Sequence, residues 1–210
     1  MEKLSYNKDL DFIVIDVETE NLNLSCQYNR PWEVAMMVCR GKSIISEYSD
    51  CILWPDLNLS AGAARKTKFN KDHYYSVAKP PEEVWNNLKP YFENDNYYIV
   101  TQNGLGFDTY LIKSWLELIG QWHGYTWIER SIDINLLSRA YHYSVKPDTS
   151  KFLAWQYKMM TDRRRGIKTN LRAMCKEFGI DFDDSKYHEA LYDVQKTREV
   201  FLQLIYQLDL

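Results

Sequence analysis

Residues 11–18, DFIVIDVE, are β-branched and apolar on both faces until the segment reaches its acidic end. A strand covered on both sides belongs in the middle of a sheet with helices above and below it. Side chains alternate along a strand, so Phe12, Val14, Asp16 and Glu18 point the same way. Two carboxylates therefore end an otherwise apolar face. An unpaired charge buried there would cost several kcal/mol, so a partner is expected. Carboxylate oxygens suit hard cations such as Mg²⁺ or Mn²⁺, whereas zinc more often brings His or Cys. The alternative is a strand end that reaches solvent and carries two hydrated acids.

Two more strand-like runs follow, at 32–40 (WEVAMMVCR) and 43–54 (SIISEYSDCILW). They meet at Gly41-Lys42, which predicts a hairpin. Residues 55–80 show neither period and are read as a long surface loop, in which LSAGAARKTKFN could hold a short helix. The pattern then alternates. A helix is expected at 81–92, a strand at 97–103 and a helix at 108–119 closed by Gly120. A strand at 127–132 leads into a helix from Asp133, and further helices fit 150–160, 169–178 and 189–208. Three strands followed by alternating helices and strands make an α/β fold, with one mixed sheet of about five strands flanked by helices on both faces. Residues 1–210 read as a single domain.

The net charge of −3 argues against a protein that coats nucleic acid by general electrostatics, but it is compatible with a catalyst that holds one strand end. The local exception is Arg163-Arg164-Arg165 with Lys168 and Arg172. It reads equally well as a phosphate track or as a solvated loop. Cys26, Cys39, Cys51 and Cys175 form no CxxC pair, so neither a zinc site nor a disulfide framework is suggested, and a reducing cytoplasm fits. No apolar run approaches the roughly 20 residues that cross a bilayer, and MEKLSYNKDLD lacks the apolar stretch of a signal peptide. A soluble, unexported chain without a membrane partner is expected.

Asp108 stands where the strand at 97–103 turns into a helix; taken alone it reads as an acid favoured by helix N-terminal N–H groups. On the last helix, Ala190, Val194, Thr197, Phe201 and Ile205 recur at helical spacing, and Asp193 shares their core-facing side. His188 lies five positions earlier, too far around the axis to share that face. It is expected at the helix entrance, with Asp183-Asp184-Ser185 available as a cap.

In chain order these are FIVIDVET, VTQNGLGFD and YHEALYDV. The chain resembles the DEDDh 3′→5′ exonucleases of the ribonuclease H-like superfamily, the family of the proofreading epsilon subunit, ribonuclease T and oligoribonuclease. All five catalytic positions match. One departure follows the first motif, where many members have Thr-Gly and this chain has Glu20-Asn21. The resemblance implies that Asp16, Glu18, Asp108 and Asp193 hold two Mg²⁺ ions, with Mn²⁺ able to substitute, and that His188 is the general base. Thr19 and Leu22 match positions that hold the terminal nucleotide, and Asn103 would orient substrate or Asp108. The implied activity is hydrolysis from the 3′ end of single-stranded nucleic acid, DNA in the first place, releasing nucleoside 5′-monophosphates. A polymerase or replication factor is a further partner. The alternatives are an exoribonuclease of the same family, or an idle module that binds nucleic acid or a polymerase on the same fold.

Overall fold

The computed structural model describes residues 10–24, 29–122 and 124–210. The start of the chain read for export, Cys26 and His123 lie outside the described residues. Strands β1 (Asp11–Thr19), β2 (Pro31–Arg40), β3 (Ser43–Cys51), β4 (Tyr98–Thr101) and β5 (Ser131–Asp133) form one mixed sheet in the order β3-β2-β1-β4-β5. The sequence DFIVIDVET becomes the middle strand, antiparallel to β2 and parallel to β4. Gly41, at φ +54°, makes the tight turn between β2 and β3.

Alternation along β1 divides the interior in two. Phe12 and Val14 face one layer, with Ala35, Met37, Val194 and Phe201, and Phe12 meets Phe201 edge-on at 5.1 Å. Ile13, Ile15 and Val17 face the other, with Leu88, Leu111, Ile112 and Trp115. The first layer is covered by α5 (Ile134–Tyr143), α6 (Phe152–Thr161), α7 (Leu171–Glu177) and α8 (Ala190–Gln207); the second by α3 (Pro81–Phe92) and α4 (Asp108–Leu118). The expected mixed sheet with helices on both faces is the fold observed.

Three local expectations are corrected. The segment at 55–80 is not a plain loop: it holds α1 (Ala61–Thr67) and α2 (Lys71–Val77), whose first turns are capped by Ser60 and Asn70 accepting from the N–H groups of Ala63 and His73. Seven residues are too few to display a helical period, so the caps carried the only local signal. Tyr74 anchors the pair, its hydroxyl donating to Ile52 O and accepting from Trp54 N. The strand expected at 127–132 is a 3₁₀ turn at Thr126–Arg130 followed by the three-residue β5, because Trp127 turns into the core against Phe92, ring centroids 5.3 Å apart. Asp183 does not cap α8; its carboxylate accepts from Ser185 N and Oγ within its own turn, and the N-cap of α8 is Glu189, with no side-chain cap among the described residues.

Candidate active site

The pleat that buries Phe12 and Val14 against α8 carries Asp16 and Glu18 to the end of the same face. The ladder to β2 breaks there: Glu18 lies opposite Glu33, but Thr19 lies opposite Pro31. Such an irregularity re-aims the strand where the carboxylates end. Asp193 arrives from α8, whose neighbouring Ala190 and Thr197 are fully covered, so the helix comes close to the sheet. Asp108 enters from the first turn of α4, and a backbone N–H of Val17 on β1 helps to hold its carboxylate.

Together with His188, these acids line one cleft of about 690 Å³. Ligand atoms of Glu18, His188 and Asp193 lie within 4.8 Å of one another. His188 N donates to Asp193 Oδ2 at 3.2 Å, and its Nδ1 stands 3.9 Å from Glu18 Oε1. Asp193 Oδ1 is buried without a hydrogen-bond partner among the described residues. Asp16 and Asp108 lie outside the tight trio, but both line the cleft, and the charge of Asp16 acts on Glu18, Asp108 and Asp193.

The electrostatics of this crowding are unfavourable without a cation. Burial raises Asp16 to about 7. Burial, and then the charge of Asp16, raise Asp193 to about 8, and the same two causes hold Glu18 and Asp108 well above the ordinary carboxylate range. Crowded carboxylates that suffer from burial and from one another, with one oxygen unpartnered, are a donor set suited to hard divalent cations. His188 runs the other way: burial lowers it below its ordinary value, assisted by Lys66 and Lys68. Its φ of +70° and its stacking on Tyr187, centroids 3.9 Å apart, fix the ring at the entrance to α8.

The remaining expected residues fall at the same cleft. Leu22 is 48% exposed, which removes it from the core and leaves it on the rim. Thr19 is buried, and its hydroxyl donates to Asn29 Oδ1 and Arg30 O. Asn103 adopts the left-handed conformation, φ +67°; its N–H donates to buried Asp133, and its Oδ1 accepts from Asn135. The Glu20-Asn21 departure is absorbed locally. Glu20 turns away and grips Arg30 through two 3.0 Å bonds, Asn29 bonds Asn21 in both directions, and Asn21 is not among the residues with positive φ.

Two neighbours were missed by the sequence reading. Glu33, raised to about 7 by burial and then by Asp16, lies across the ladder from Glu18; its signal was a single acid inside an apolar strand run. Tyr187, stacked on His188, had no signal beyond adjacency.

The family model described as the RNase T exonuclease matches residues 13–201. A ribonuclease T from Vibrio cholerae serotype O1 is 45% identical over 40 residues, which is 19% of this chain and 18% of that protein. Among solved structures, a complex of exonuclease I from E. coli with single-stranded DNA is similar at a TM-score of 0.74 and 16% identity, covering 96% of this chain and 42% of that one. The nuclease domain of 3′hExo, a DEDDh family member bound to rAMP, is similar at 0.67 and 15% identity, covering 97% and 94%. The chain thus spans under half the length of exonuclease I and under a fifth of the ribonuclease T sequence.

Proposed function

This chain belongs to the RNase T exonuclease family, and from that premise we propose that its residues 1–210 act as one exonuclease domain that removes nucleotides from the 3′ end of single-stranded nucleic acid. The observation that carries the reading is the convergence of Asp16, Glu18, Asp108 and Asp193 with His188 in one cleft. The substrate favoured is DNA, on the support of the likeness to the exonuclease I complex. RNA is the second reading, favoured by the local match to a ribonuclease T and by the rAMP-bound nuclease domain.

Asp16, Glu18 and Asp193 would hold two Mg²⁺ ions, with Asp108 supporting the second and Mn²⁺ substituting. When bound, such a pair offsets the charge that builds on the attacking and leaving oxygens of an in-line displacement. His188 takes the proton of the attacking water, and its lowered pKa keeps the ring neutral and ready to accept near pH 7. The new bond joins water oxygen to phosphorus; the bond to the 3′ oxygen of the preceding nucleotide breaks, and a nucleoside 5′-monophosphate leaves. Leu22 at the rim meets the terminal base, the Thr19 backbone meets the terminal nucleotide, and Asn103 steadies the turn that leads to Asp108. Among the described residues no helix is long and apolar enough to cross a membrane. The cytoplasm is the compartment this reading names, on the support of free thiols at Cys39, Cys51 and Cys175. A polymerase or replication factor is the protein partner it names.

The test is release of mononucleotides from matched DNA and RNA strands, single and duplex, in Mg²⁺. Release should stop on chelation and in Asp16→Ala or Asp193→Ala, while strand binding persists. Unchanged turnover in either variant would remove the metal-site assignment, and preference for RNA would exchange the two substrate readings.

A further inference from the structure

Part of the cleft lining is cationic. Residues 162–170 join α6 to α7, and Arg163, Arg164 and Lys168 from this segment line the same cavity as Asp16 and Asp193. All three are exposed. Among the described residues, Arg163 and Lys168 have no acidic partner, whereas Arg164 pairs with Asp162 at 3.3 Å and Arg172 with Asp184 at 2.6 Å.

The segment is held from both ends. Tyr143 on α5 donates its hydroxyl to Asp162 O, accepts from Arg164 N, and carries the Arg164 guanidinium over its ring at 3.9 Å. Arg139 Nη1 donates to the carbonyls of Met159 and Met160. At the other end, Gln102 Nε2 donates to Thr169 O and Thr169 Oγ1 donates to Asn135 Oδ1. Asn135 Nδ2 in turn donates to Asn103 Oδ1. The cationic segment is therefore tied by side-chain hydrogen bonds to the turn that delivers Asp108.

A second cavity, of about 1140 Å³, adjoins this segment and shares Ile167, Lys168 and Asn170 with the first. Its lining is mixed in sign, with Glu177, Asp181 and Asp184 beside Arg172 and Lys176. Acids and bases alternate there, and Arg172 is already paired with Asp184, so the uncompensated positive charge leading out of the cleft ends near Lys168.

We infer that Arg163, Arg164 and Lys168 form a short phosphate track that grips the strand upstream of the scissile bond and ends at Lys168. The inference rests on the strand-degrading reading of the cleft. It makes this a site for a few nucleotides and leaves the rest of the strand in solvent.

The experiment uses Arg163→Ala/Lys168→Ala, which leaves the Arg164–Tyr143 contact in place. Binding of a 5′-fluorescein oligothymidylate of about twelve nucleotides is followed by anisotropy in chelator across a salt series. The double variant should bind about tenfold more weakly, and the slope of log K against log salt should fall by about 1.4, two phosphate contacts at about 0.7 each. Lys176→Ala, in the second cavity, should bind like the parent. Parent-like binding by the double variant, or an equal loss in Lys176→Ala, would overturn the track. The nuclease reading is scored separately, by whether the parent hydrolyses the p-nitrophenyl ester of thymidine 5′-monophosphate and the strand in Mg²⁺. A parent inert to both loses the nuclease reading, and weaker binding by the double variant would still support the track.

Discussion

Asp193 combines a buried Oδ1, unpartnered among the described residues, with an Oδ2 that accepts from His188 N, on the helix face packed against β1. Its acidity couples the site to folding. An unfolded Asp releases its proton near 3.8, whereas folded Asp16 and Asp193 hold theirs to about 7 and about 8. Between those limits the folded, metal-free chain binds more protons than the unfolded one, so stability from these groups is present below about 4 and is lost as pH rises through 7 and 8. In chelator, the melting temperature should fall from pH 5 to pH 8.5, and Asp193→Asn should flatten that fall. Mg²⁺ should stabilise the parent most at the alkaline end, where the acids are ionised. Equal pH slopes for parent and variant would refute this account. Much of the site was legible at this scale, because DxE, the acid before a helix and HxxxxD keep a fixed order along the chain. Glu33 was not, because strand register decides which face an acid shares, and β2 could not be registered against β1 from sequence.

The elements deliver these residues through a few tight approaches. Gly104, in the 3₁₀ turn before α4, lies so close to Thr101 that a Cβ would overlap the Thr101 side chain. Gly104→Ala must therefore shift the turn that holds Asn103 and precedes Asp108. We expect a loss of about 1–3 kcal/mol in urea unfolding, typical of overpacking, and a larger fractional loss of turnover than of strand binding. Parent-like stability and turnover would show that the turn gives way freely. The long helices were legible because their apolar faces repeat: Phe201 and Ile205 extend the stripe begun by Ala190 and Val194. Elements set by tertiary contacts were not. α2 depends on Tyr74 reaching Ile52 and Trp54 across the chain, and β5 is cut short because Trp127 packs on Phe92.

At the scale of the molecule, β1 is shared property: its odd residues build one core, and its even residues build the other core and then the acids. Trp54, Trp85, Trp115 and Trp127 all report on the face away from the carboxylates. If the sheet unites the two layers, loss of Mn²⁺ binding and change in tryptophan fluorescence should follow one urea transition. A chain that loses metal binding while its tryptophans remain buried would have layers that come apart independently. The same sharing bears on laboratory evolution. A library screened for heat resistance in chelator would enrich replacements at Asp16, Glu18, Asp108 and Asp193, since each relieves like charges crowded at the end of the strand. Its winners would be sturdy and inert, whereas the same screen run in Mg²⁺ would leave those four positions alone and place its gains elsewhere in the chain.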